Sequence, residues 1–232
     1  MPSSNITIAP LTPSSSPLYA AVRHESFKQT LNYILYAREP SQASLDQVAE
    51  NVAKDIETKP NYFYFLAKDS EGNACAGAKW QFNGTGKDGM EVGERSWEEV
   101  ERELTVPEGY KESDPRVWKA FFNMLNGAKR EILGQRPYLI LQTLVTHPNH
   151  ERKGAGSALL RWGLEQADAK GVETYLEASQ IGAPLYARYG FQPVKDLVFD
   201  LRDFGYDGPE DKMRQVFTLM IRSPQGKVGS PA

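Results

Sequence analysis

The chain has 232 residues, 40% of them hydrophobic, with 27 Lys and Arg against 30 Asp and Glu and a formal net charge of −3. At roughly 100–200 residues per domain this is one large domain or two small ones, long enough to bury a core without staples. One cysteine, Cys75, excludes an intrachain disulfide framework and a cysteine zinc cluster, and the mild acidity argues against a broad nucleic-acid-binding face.

No run approaches the ~20 apolar residues of a membrane span. The first residues, MPSSNITIAP, lack the basic-then-apolar order of a secretory signal. The expectation is a cytoplasmic protein with neither membrane nor nucleic-acid partners, a monomer or a homodimer.

Ile6 to Leu11 reads as a first strand, and helical spacing follows from Leu18 through Phe27 towards Leu35. A second helix carries Leu45, Val48, Ala49, Val52 and Ile56, with Ser44 and Gln47 as an expected capping box and Pro60 as its stop. Tyr62 to Lys68 and Ala74 to Phe82, joined by Asp69-Ser-Glu-Gly-Asn73, predict an antiparallel hairpin. Residues 83–136 hold a polar loop and two helices, one capped by Ser96 and Glu99, the other opened by Asp114-Pro115.

Tyr138 to Val145 reads as a buried strand. A charged loop leads to Gly154-Ala-Gly156 and a helix that Gly171 ends. Val172 to Ala178 is a further strand, a short helix starts near Pro184, and strands at about Leu197 to Leu201 and Gln215 to Ile221 follow. Strands and helices in this order predict an α/β (α+β) fold, with one mixed, mostly antiparallel sheet of about seven strands flanked by helices. The expected domain covers 5–223, with a helical insertion at 83–136 before the fourth strand and a motif-bearing core at 138–191; 1–4 and 224–232 read as flexible tails.

The chemistry concentrates where the strand from Tyr138 reaches the glycine turn. The first amides of a helix lack internal acceptors, and the helix dipole adds about half a positive charge there. Gly154 and Gly156 let the backbone approach an anion, and Arg152 and Lys153 add formal charge. Such a turn suits a polyphosphate. The spacing is not that of a P-loop. A dinucleotide site would want a small residue where Leu159 stands, although Glu173 and Glu177 lie where a ribose-binding acid would.

Two motifs now stand in order: Glu151-Arg-Lys-Gly154-Ala-Gly156 after a strand, and Leu185-Tyr186-Ala-Arg-Tyr-Gly190-Phe191 some thirty residues later. In these the sequence resembles the GNAT superfamily of acyl-CoA-dependent N-acyltransferases, with Glu151 in place of the family's Gln or Arg and Ser179 in place of its Asn. The close match covers Leu139 to Phe191.

The resemblance implies acetyl-CoA as co-substrate, and backbone groups of Leu144 and Val145 facing the acetyl carbonyl and pantetheine. It also implies a pyrophosphate held by Arg152, Lys153, Gly154, Ala155, Gly156 and Ser157, with Ser179 further along the cofactor. Tyr186 would be the general acid that protonates the departing thiolate, while a backbone N–H such as that of Val145 stabilises the oxyanion.

Glu177 is a candidate base. His147 and His150 sit in the charged loop, and no metal spacing links them. The family position of the acceptor falls on Phe27, Tyr33 and Tyr36, then on Phe199, Asp200, Asp203, Phe204 and Tyr206, joined by Trp80 and Phe82. Aromatics with carboxylates suit a small amine that arrives protonated. The expected activity is acetylation of a primary amine by direct attack in a ternary complex. The alternatives are a non-catalytic acyl-CoA-binding module and an NAD(P)-dependent oxidoreductase.

Overall fold

The computed structural model describes residues 6–28 and 30–225. Its strands are β1 (Thr7–Pro10), β2 (Tyr62–Lys68), β3 (Ala74–Asn83), β4 (Tyr138–Thr146), β5 (Glu173–Ser179), β6 (Gln192–Asp200) and β7 (Arg214–Arg222). They form one sheet in the order β1-β2-β3-β4-β5-β7-β6. Only the β4–β5 pair is parallel; the others are antiparallel. The helices are α1 (Ser16–Phe27), α2 (Asn32–Leu35), α3 (Gln42–Thr58), α4 (Trp97–Glu103), α5 (Pro115–Leu133), α6 (Ala155–Lys170), α7 (Ala183–Arg188) and α8 (Glu210–Met213). The expected mixed, mostly antiparallel sheet is what forms, with α4 and α5 between β3 and β4. No helix of the described residues is long and apolar enough to cross a membrane.

Period-two alternation sorts the strand residues onto two faces. Ala76, Ala78, Trp80, Leu139, Leu141, Leu176 and Ala178 pack with Leu159, Leu160 and Leu164 of α6. On the other face Tyr64 and Leu66 meet Tyr19 of α1 and Val52 of α3. Further along that face, Tyr138, Ile140, Tyr175 and Leu219 meet Ala128 and Leu133 of α5.

Local signals set most helix ends. Ser96 and Glu99 form the expected capping box, and the Asp114 side chain accepts from the Arg116 N–H at the start of α5. Gly171, left-handed at φ 66°, closes α6. Three expectations need correction. The second helix starts a turn early: Ser41 is its N-cap, and Ser44 lies inside α3 with its hydroxyl donating to Glu112. The first helix does not run on to Leu35, because Asn32 donates to the His24 carbonyl and starts the separate α2. Of the expected tails 1–4 and 224–232, residues 1–4 and 226–232 lie outside the described residues, but Gln225 is tied down: its N–H donates to Asp168 at 2.7 Å. The same carboxylate receives both terminal nitrogens of Arg222, at 2.7 and 2.9 Å.

The tightest approach in the core joins α6 to β3. A Cβ built on Gly163 would stand 2.2 Å from Trp80 Cζ2, so the helix reaches the sheet only because position 163 has no side chain. Alanine is the better helix former by about 1 kcal/mol, yet overpacking costs about 1–3 kcal/mol. Gly163→Ala should therefore lower stability in urea unfolding; an unchanged or raised midpoint would refute the close packing.

Candidate active site

β4 and β5 pair only between Tyr138–Leu141 and Glu173–Leu176. Beyond that point β4 continues to Thr146 and β5 to Ser179 with no pairing between them. A bulge marks the parting: Trp80 faces Leu141 and Lys79 faces Thr143, leaving Gln142 as the extra residue, its side chain bonded to Gln81.

The register past the bulge decides which backbone groups face the gap. The His147 N–H donates to the Cys75 carbonyl at 2.8 Å, and bonded and non-bonded pairs alternate along an antiparallel ladder. Val145 and Gly77 are therefore a bonded pair, with their polar groups turned towards each other. Leu144 and Thr146, opposite Ala78 and Ala76, present N–H and C=O to the side that β5 has left. This corrects the expectation for Val145, whose amide is committed to β3 and whose side chain is buried. Leu144 does turn its backbone groups to the gap, and Thr146 does the same. Sequence alone carried no sign of this parity, because the bulge that sets it has no local signature.

The N-terminus of α6 flanks the same gap. Gly154 is its N-cap at φ 92°, and Arg152, at φ 59°, is the one non-glycine residue with positive φ among the described residues. A Cβ at Gly156 would meet Thr146 Oγ1 at 3.5 Å and Leu144 Cδ2 at 4.0 Å, ordinary contacts, so packing does not demand glycine there. What the bare Cα leaves is access to the first-turn amides. Arg152 is exposed, and the Lys153 ammonium donates to the Asn149 carbonyl at 3.0 Å. His147 caps the short turn at Pro148–His150 through its Nδ1, and His150 faces Asp69 at 3.7 Å.

On the β5 side, Tyr186 of α7 packs edge-on against Phe191 with ring centroids 5.9 Å apart. Among the described residues no hydrogen bond of its hydroxyl acts on its titration. Burial alone raises its pKa well above the ordinary phenol value, so it is neutral and carries its proton at physiological pH. Glu177 is the first β5 residue past the last β4 partner. Burial raises its pKa, opposed by Lys129 and by the Tyr175 hydroxyl, which donates to Glu177 Oε1 at 3.3 Å. The Ser179 hydroxyl accepts from the Gly182 N–H at 3.2 Å and so shapes the turn into α7.

The acceptor-side residues scatter. Trp80 is fully buried beneath α6 beside Trp162 and lines no acceptor space, and Phe82 is likewise buried in that core. Phe199 packs into the core against Phe121, centroids 5.3 Å apart. The Asp200 carboxylate is held at a pKa of about 2 by Arg202, which grips both its oxygens, and is not free for an amine. The Tyr206 hydroxyl donates to Asp114. Tyr33, half-buried, has the Lys212 ammonium over its ring, and Tyr36 remains beside α1, packed on Tyr110. Two cavities, of about 510 and 280 Å³, lie outside the gap, one beside His150 and Lys153 and the other beneath Trp162.

The glycine geometry makes a paired prediction. A left-handed backbone costs a residue with a Cβ about 1–2 kcal/mol. Gly154→Ala should lose that much stability in urea unfolding, whereas Gly156→Ala should stay within about 0.5 kcal/mol of the parent. Equal losses would contradict the geometry of the turn.

Residues 120–193 match the family model described as Acetyltransferase (GNAT) domain. A curated relative, an "Acetyltransferase" of Stachybotrys chartarum, is 32% identical over 59 residues, 25% of this chain and 26% of that protein, so the match spans about a quarter of the relative's length. Among solved structures, an arylalkylamine N-acetyltransferase-like 5b of mosquito is similar with a TM-score of 0.63 at 13% identity, over 94% of this chain and 100% of that one. Arylalkylamine N-acetyltransferase 2 of Aedes aegypti gives 0.59 at 14%, over 95% and 100%. A Corynebacterium glutamicum structure described as histone acetyltransferase HPA2 and related acetyltransferase gives 0.58 at 21%, over 97% and 99%. At these identities the structural likeness is one of fold; the family match lies over the parted strands, the α6 turn and α7, and in that segment the chain is similar to the acetyltransferase domain of the GNAT superfamily.

Proposed function

We propose that the protein transfers an acetyl group from acetyl-CoA to a primary amine of a small molecule, by direct attack in a ternary complex. One observation carries the reading. The gap between β4 and β5 is bordered by an anion-suited helix terminus on one side and a neutral phenol on the other. The α6 turn fits a diphosphate: its first-turn amides lack internal acceptors, and position 156 is bare without any packing reason for it.

In this reading the thioester supplies the acyl group, and the chain supplies position and protons. Arg152, Lys153 and the backbone from Gly154 to Ser157 hold the diphosphate. The N–H groups of Leu144 and Thr146 point where an acyl oxygen would gather charge, a placement that is effective because it needs no reorganisation. Tyr186 holds the proton that the departing sulfur takes. Glu177, whose burial makes its carboxylate a stronger base than usual, accepts the proton that the amine loses. The raised pKa has a direction: as pH falls through it, the base is protonated and turnover declines. The mosquito neighbours, named as arylalkylamine N-acetyltransferases, support a small-molecule acceptor over a protein tail.

Two experiments test this. In a thermal-shift panel of acetyl-CoA, CoA, NADPH and ATP, ligand at 100 times its Kd adds about 2.7 kcal/mol, several degrees in Tm. Acetyl-CoA and CoA should protect; protection by NADPH alone would replace the acyltransferase with an oxidoreductase. Tyr186→Phe should lower kcat about 10²- to 10⁴-fold in a thiol-release assay with Tm nearly unchanged, because burial alone, and no hydrogen bond, acts on the hydroxyl it removes. Full turnover in that variant would leave Tyr186 a packing residue.

A further inference from the structure

On the α1 face, beside the strand that borders the gap, lies a guanidinium with no counter-charge. Arg23 of α1 is half-buried, its guanidinium 5.3 Å from the centre of the Phe27 ring. Among the described residues no carboxylate comes within 4.0 Å of it, and the polar side chain it approaches is the Tyr36 hydroxyl. The hydroxyls of Tyr19 and Tyr36 are both buried, with Thr143 beside the first and Arg23 beside the second. Arg23 is the charge that most strongly opposes the effect of burial on both phenols.

The nearby acids are all engaged. Asp55 holds Lys79, Lys59 and the Tyr64 hydroxyl, and Glu112 takes the Ser44 hydroxyl. A half-buried guanidinium without a counter-charge is unusual, since buried charge is costly unless paired and buried polar groups are nearly always bonded. The neighbourhood also adjoins the reacting end of β4. Tyr19 lies against Thr143, the residue before Leu144, and Thr143 pairs with Lys79.

We propose that Arg23, with the Tyr36 hydroxyl beside it, anchors a carboxylate carried by the acceptor, so that the acceptor is an amino acid or related amino-carboxylate rather than a plain alkyl- or arylalkylamine. A carboxylate offers only acceptors, and a guanidinium fork matches its two oxygens. The neighbouring rings of Phe27, Tyr36 and Tyr110 favour an apolar or aromatic side chain on that amino acid. The proposal rests on the amine-acetylating reading above and names the class of amine.

The test compares amines of one skeleton, phenylalanine and phenethylamine, in the thiol-release assay with acetyl-CoA. The parent should show the lower KM for phenylalanine. Arg23→Gln should raise that KM about 10- to 100-fold while leaving KM for phenethylamine and kcat for both amines within about twofold, and Arg23→Lys should recover part of the loss. A parent that prefers phenethylamine, or an Arg23→Gln variant that affects both amines alike, overturns the carboxylate anchor and leaves acetyl transfer standing. If neither amine turns over, calorimetric titration with N-acetylphenylalanine decides without activity. Binding that is lost in Arg23→Gln upholds the anchor; equal binding, or none, in parent and variant overturns it.

Discussion

Inside a sheet a strand has two neighbours, and the cost of losing one is a row of backbone donors and acceptors with nothing to bond. β4 and β5 accept that cost beyond Leu141 and Leu176. The bulge at Gln142 turns β4 as it leaves its partner, and Ala155, fully buried at the foot of α6, packs into the core below the parting. An unpaired edge in the middle of a sheet is a standing invitation to an extended ligand with amides of its own. Whatever occupies the gap meets α6 at one end and Tyr186 at the other, so the parting sets the direction in which a ligand lies.

The two faces of the sheet then divide the labour. The α6 face is apolar and stiff, with Trp80 locked against a glycine, and it holds the helix terminus and the Tyr186 phenol. The opposite face carries the ionisable groups: Glu177, the Lys79–Asp55 pair and Arg23 all face helices α1, α3 or α5. Burial acts on these groups in a common sense, disfavouring charge. It raises the Tyr186 phenol and the Glu177 carboxyl and lowers the Lys79 ammonium to about 8. The phenol of Tyr186 and the carboxyl of Glu177 are thus set by exclusion of water more than by specific charge partners.

Much of this was legible in the residues themselves, wherever a local rule suffices. Ser96 with Glu99, Asp114 with Pro115, Gly171 and the glycine turn at 154–156 each fix a helix end by chemistry within four residues, and the structure follows them. Several misreadings depend on contacts distant in sequence. Ser44 has the right spacing for a cap, but Glu112, 68 residues away, claims its hydroxyl. Val145 and Thr146 are alike in sequence terms, and only the pairing of His147 with Cys75 decides which amide faces the gap. Trp80 on an aromatic strand suits a binding wall as well as a core; the absence of a side chain at Gly163 settles it. Arg23 drew no notice because a lone arginine in an amphipathic helix normally reads as part of a solvated face.

The strand order has a consequence for how the molecule is made. β7 lies between β5 and β6 although it follows both in the chain, and Arg222 at its end clasps Asp168 on α6. During synthesis β5 therefore emerges with one flank bare and β6 with no neighbour at all, until residues 214–222 leave the ribosome and slide between them. The sheet is completed by an interior piece, so a nascent chain stalled before Arg214 exposes two sticky edges at once, and such edges are what holdase chaperones cover.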